Sequence, residues 1–217
     1  MDGMILDPEP IEPTKHATLT SGIFRRELVH APEPTSSVVI WVAGVSGDSE
    51  RYDDLVEVLN RGGFDVLRFG GWRGETDLEP LTIHDVLVAL EDTEKILHER
   101  GYATISYVGK SFGGLLGLLS RNGYDRTVLW APLARLGDGS DPKTRISELS
   151  TFTINREKIT RRPTLIISGT RDEIITSEEA RGLADALSAQ HLEVNEGHSV
   201  DKAIETLEAT LDYLTEK

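Results

Sequence analysis

Val108-Gly109-Lys110-Ser111-Phe112-Gly113-Gly114 lies at the junction of two unlike runs. Before it, Thr104-Ile105-Ser106-Tyr107-Val108 is rich in β-branched and aromatic residues and reads as a strand. After it, Leu115-Leu116-Gly117-Leu118-Leu119 reads as an apolar helical run. A serine therefore sits where a strand gives way to a helix, with glycine two residues before it and two after. A turn that sharp strains the serine backbone, and a side chain at Gly109 or Gly113 would crowd the joined strand and helix. The serine hydroxyl is then held out above the sheet. The Phe112 amide, at a helix N-terminus, faces any negative charge that develops there. The string G-x-S-x-G alone also fits a plain glycine-rich turn. Its place between a strand and a helix marks it as a nucleophile elbow.

Upstream, Val38-Val39-Ile40-Trp41-Val42-Ala43 is a nearly continuous apolar run, the pattern of a strand buried on both faces. It ends in Gly44-Val45-Ser46-Gly47-Asp48, a loop that either aims backbone amides at a ligand or simply turns the chain into a helix. Tyr52, Leu55, Val56 and Leu59 then fall at helical spacing, and Gly62-Gly63 stop that helix. Asp65–Phe69 is the next strand, followed by the loop Gly70-Gly71-Trp72-Arg73-Gly74-Glu75. Thr82-Ile83-His84-Asp85 is a capping box that opens a helix with Val86, Leu87, Leu90 and Leu97 on its apolar side.

Downstream, Arg126–Pro132 and Pro163–Gly169 read as further buried strands. The polar stretch between them, 133–162, leaves room for a short helix near Ile146–Phe152. Thr176-Ser177-Glu178-Glu179 is a second capping box before a helix, and His191–Val194 a short strand. Val200, Ala203, Ile204, Leu207, Leu211 and Leu214 mark a last helix. Alternating strands and helices predict an α/β fold: a doubly wound, mostly parallel sheet with helices on both faces. The proline- and acid-rich stretch 1–18 reads as a loosely held arm, and 19–217 as one domain.

The chain has 217 residues and a net charge of −14, a field that opposes nucleic acids and anionic membranes. Lysine is scarce beside arginine; both a high-salt habitat and an ordinary acidic protein fit that balance. With no cysteine, disulfides and thiolate chemistry are excluded. The first residues show no basic region followed by an apolar core, so a cytoplasmic location is expected.

A serine hydroxyl is a poor nucleophile near neutral pH. It needs a base within hydrogen-bond reach, and the base needs an orienting carboxylate. In doubly wound sheets, active groups gather at the carboxyl ends of strands. Asp172 follows the strand ending at Gly169, and His198 follows the last short strand. The order Ser111, Asp172, His198 is the one expected with a nucleophile elbow.

On the elbow, on Gly169-Thr170-Arg171-Asp172 and on Gly197-His198, the chain resembles the α/β-hydrolase fold superfamily from about Ile23 to Leu214. The resemblance implies serine-hydrolase chemistry with Ser111, Asp172 and His198 as catalytic triad. It implies an oxyanion hole of the Val45 and Phe112 amides, and no metal or organic cofactor. Many relatives carry His-Gly where this chain has Ala43-Gly44, but the matching donor is backbone and does not depend on that histidine. The short 133–162 stretch implies a minimal lid. Trp72, Arg73, Trp130 and that stretch are candidate walls of the substrate pocket. Trp130 reads equally as core packing, and Arg73 as a solvent-facing loop residue.

The expected activity is cleavage of a carboxylic ester or related acyl bond of a small molecule. A non-catalytic binding or regulatory module of the same fold, and an acyltransferase or thioesterase using the same triad, remain alternatives. The sequence leaves oligomeric state open.

Overall fold

A computed structural model of the protein describes residues 17–21, 24–47, 52–159 and 161–216. Eight strands form one sheet: β1 (Ala17–Ser21), β2 (Phe24–Val29), β3 (Ser37–Val42), β4 (Asp65–Gly70), β5 (Thr104–Lys110), β6 (Thr127–Trp130), β7 (Thr164–Gly169) and β8 (Gln190–Val194). Their spatial order is β1-β2-β4-β3-β5-β6-β7-β8. β1 and β2 pair antiparallel with their neighbours, and every pairing from β4 to β8 is parallel. The helices are α1 (Asp53–Arg61), α2 (Glu75–Leu78), α3 (Ile83–Glu99), α4 (Phe112–Leu119), α5 (Ser177–Leu187) and α6 (Ile204–Thr215).

The apolar strands are continuous because each face of the sheet is covered. On β3, Val38, Ile40 and Val42 join the core layer beneath α3, α4 and α5. Val39 and Trp41 alternate with them and join the layer beneath α1 and α6. Both capping boxes form: Thr82 and Asp85 at the start of α3, and Thr176 and Glu179 at the start of α5, exchange side-chain and backbone bonds.

The structure differs from the sequence reading in four places. Part of the expected arm, 1–16, lies outside the described residues, while Ala17 and Thr18 open the edge strand β1. The 70–75 loop runs into the one-turn helix α2. The expected short helix is a 3-10 helix, Ile146–Thr151. The last helix begins at Ile204, after a 3-10 turn at Val200–Lys202. That offset rotates its face: Ile204 is 66% exposed, while Thr206 and Thr210 are buried.

Among the described residues, the 133–162 segment builds no separate cap. Ile146, Leu149, Phe152 and Ile154 are buried in the α3-side core. Its backbone is tied to the start of α3, where the Ile83 and His84 amides donate to the Thr144 and Pro142 carbonyls at 3.2 and 2.8 Å.

Candidate functional site

Ser111 separates β5 from α4 with φ 52° and ψ −111°, a left-handed conformation that costs a non-glycine residue energy. The surrounding backbone holds it there. The Ser111 amide donates to the Trp130 carbonyl at 2.8 Å, and the Leu133 amide donates to the Ser111 carbonyl at 2.9 Å. The glycines permit the close approach. A β-carbon at Gly109 would stand 2.5 Å from the Gly113 carbonyl oxygen, and one at Gly113 would stand 2.1 Å from that of Val42. Beneath the elbow, the Tyr107 hydroxyl donates to the Gly113 carbonyl at 2.6 Å. Full burial pushes that phenol well above its ordinary 10.0, so it stays a donor.

The loops after β7 and β8 bring the other two expected residues to this point. His198 Nε2 lies 2.8 Å from Ser111 Oγ, and His198 Nδ1 lies 2.8 Å from Asp172 Oδ2. Asp172 Oδ1 accepts from the Ile174 and Ile175 amides at 2.8 and 3.0 Å. The carboxylate side chain is fully buried and the imidazole 21% exposed. With Nδ1 protonated and bonded to the carboxylate, Nε2 is left to accept the serine proton. Gly169 lets the two loops close on one another, since a β-carbon there would stand 2.3 Å from the carbonyl oxygens of Glu196 and Gly197.

The turn after β3 stands beside the serine. It is closed by the Gly47 amide donating to the Gly44 carbonyl at 3.0 Å, and a β-carbon on Gly44 would lie 3.8 Å from Ser111 Oγ. Val45 is half-buried in this turn, and Phe112 is the first residue of α4. The Phe112 amide is one of the helix N-terminal donors without an intrahelical partner. Both expected amides thus belong to backbone adjoining Ser111.

The three expected pocket residues take up different surroundings. Trp72 is 2% exposed, and its indole donates to the Gly44 carbonyl at 3.0 Å, so it supports the turn from below. Trp130 has no exposed surface; it packs 5.2 Å from Trp41 and donates to Thr210 Oγ1 at 2.9 Å. Arg73 is 90% exposed and pairs with Asp77 at 3.4 Å on the surface. Sequence position alone places these residues near strand ends but not the direction in which each points.

Lys110, the unassigned residue inside the elbow, is buried against Tyr52 and Asp201. Strand alternation carried a signal for it, since it is a lone cation at the end of an otherwise uncharged central strand. Among the described residues, no group of three or more His, Asp or Glu side chains converges as a metal-ligand set.

No family model matches the chain, and no curated protein matches it in sequence. Solved structures do match its shape. Est1E from Butyrivibrio proteoclasticus superposes with a TM-score of 0.71 at 18% identity, covering 93% of this chain and 99% of that one. The enol-lactonase from Burkholderia xenovorans gives 0.67 at 20% identity, over 89% and 96%. The monoacylglycerol lipase from Paleococcus ferrophilus gives 0.67 at 17% identity, over 88% and 98%. With its strand order, elbow and loop placement, the chain has the α/β-hydrolase fold.

Proposed function

We propose that this protein is a serine hydrolase that cleaves a carboxylic ester or related acyl bond of a small molecule. The observation that carries this reading is the position of His198, 2.8 Å from both Ser111 Oγ and Asp172 Oδ2. In this mechanism Ser111 Oγ attacks the acyl carbonyl as His198 Nε2 removes its proton. Asp172 holds the imidazole tautomer and stabilises the imidazolium. The Val45 and Phe112 amides take the oxyanion, each donor being worth about 3 kcal/mol of barrier. The imidazolium then protonates the leaving group, and water activated by the same nitrogen frees the acyl group from Ser111. No step calls for a metal or organic cofactor.

The names of two of the matched structures, a monoacylglycerol lipase and an enol-lactonase, agree with acyl-bond chemistry without choosing among substrates. A panel of p-nitrophenyl esters of increasing acyl length tests the reading. Turnover by the wild type should fall by about 10³-fold or more in Ser111→Ala. Equal rates for the two proteins would reject it.

A further inference from the structure

Lys110 occupies the variable position just before Ser111, and strand alternation turns its side chain toward the α1/α6 face with Val108. There its Nζ donates to the Tyr52 hydroxyl at 2.9 Å and forms an ion pair with Asp201. Both charged side chains are nearly buried, at 8% and 11% exposure. Asp201 follows His198 by three residues, in the 3-10 turn that leads to α6. The ion pair therefore joins the residue beside the nucleophile to the loop that carries the base.

That join answers a geometric need. β8 is three strands away from β5 in the sheet, about 14 Å at ordinary strand spacing. The loop after β8 must cross that span to set His198 against Ser111. Its first half is fixed to the β7 loop: the Arg171 amide donates to the Glu196 carbonyl at 2.9 Å. Its second half is fixed by the buried Val200, whose carbonyl accepts from Thr206 Oγ1 at 2.7 Å, and by Lys110–Asp201. Of these attachments only Lys110–Asp201 refers the loop directly to β5, the strand that leads into Ser111.

We infer that the Lys110–Asp201 pair is a positioning device that sets the distance between His198 Nε2 and Ser111 Oγ. Lys110 and Asp201 touch no reacting atom in this reading; they act through His198. The inference rests on the hydrolase reading for its kinetic consequence, but its geometric core can be measured without turnover.

A single Lys110→Met change strands a buried carboxylate and risks unfolding, so the test pairs it with Lys110→Met/Asp201→Leu, which removes both charges together. In the folded double variant, kcat for a p-nitrophenyl ester should fall about 10- to 100-fold with KM nearly unchanged, as for other groups that orient a reacting residue. Lys110→Arg, which keeps the charge, should recover most of that rate. In a His198→Ala background the same double change should alter the residual rate less than twofold. A merely structural effect on the elbow would lower it again.

The substrate-free readout is the downfield proton resonance of His198 Nδ1–H bonded to Asp172, assigned by its loss in His198→Ala. It should be sharp in the wild type and broadened or shifted in the double variant. Retention of both the wild-type kcat and the wild-type resonance in the folded double variant would overturn the inference. An altered resonance in a protein that turns over no ester would uphold the positioning role while rejecting the hydrolase reading.

Discussion

The Trp72 indole donates to the carbonyl of Gly44 at 3.0 Å from beneath the turn that flanks Ser111. The same tryptophan packs edge-on against Phe112, with ring centroids 6.3 Å apart. One buried side chain thus supports both backbone segments proposed to hold the oxyanion. Trp72→Phe keeps most of the apolar volume but removes one of the two hydrogen bonds that the Gly44 carbonyl accepts, the Gly47 amide keeping the other, which costs about 0.5–1.5 kcal/mol. The expected outcome is a melting midpoint lower by a few degrees, by about 2–4 °C per kcal/mol for a chain this size, and a reduced kcat. Differential scanning calorimetry and ester kinetics on the same preparation check both.

Gly113 offers no room for a methyl group. Its β-carbon would stand 2.1 Å from the Val42 carbonyl oxygen and 2.8 Å from the carbonyl carbon, one backbone group that cannot rotate aside. Gly113→Ala should destabilise the fold by about 3 kcal/mol or more, through overpacking that forces α4 off β3. Gly182→Ala, with nothing within 4 Å of the added carbon and a site inside α5, should be neutral or slightly stabilising. Urea denaturation of the two variants side by side measures the contrast.

Arg135 ties the 133–162 segment to the loop after β7. Its guanidinium donates to the Ser150 and Ile174 carbonyls, each at 3.1 Å, and its Nε pairs with Glu179 at 3.3 Å. Arg135→Met keeps the stem and removes these bonds. Because the group is partly exposed, the cost in global stability should stay near 1 kcal/mol. Amide hydrogen exchange should rise in 146–154 and 172–176 before it rises in the sheet.

Glu179 shows a pH dependence with a definite sign. Backbone hydrogen bonding from Thr176 leads the causes that hold its carboxyl below the ordinary 4.5. A pKa depressed in the folded state adds stability that is present above 4.5 and lost as the pH falls through the folded value. The stability difference between wild type and Glu179→Gln should therefore be constant near neutral pH and shrink below about pH 4.5. Chemical denaturation at a series of pH values follows it. A difference that grows on acidification would contradict the capping assignment.

Much of this architecture was legible because the core strands are largely apolar, α3 and α5 begin on capping boxes, and α1 ends on Gly62. β1 was not: Ala17-Thr18-Leu19-Thr20-Ser21 is short and polar, and an edge strand needs apolar residues on one face at most. The last helix carried a periodic apolar pattern from Val200, but the 3-10 turn shifts its phase and buries the Thr206 and Thr210 hydroxyls instead. Those hydroxyls are satisfied by the Val200 and Thr206 carbonyls at 2.7 and 2.6 Å, a bond that spacing alone does not reveal.

At the site, the three polar residues were legible because the chemistry restricts which types can follow a strand end in that order. The directions of Trp72 and Trp130 were not. A loop or strand-end aromatic faces solvent or core according to tertiary packing, and both face the core here. Lys110 was hidden inside the motif that drew attention to its neighbour.

The proposed function requires Ser111 to be an activated nucleophile. Intact-protein mass spectrometry after exposure to a fluorophosphonate tests it most directly, with peptide mapping to locate the adduct. A single adduct on Ser111 is expected, absent from Ser111→Ala and slowed by about 10³-fold or more in His198→Ala. A folded wild-type protein that acquires no adduct, or one that labels equally fast without His198, would contradict it.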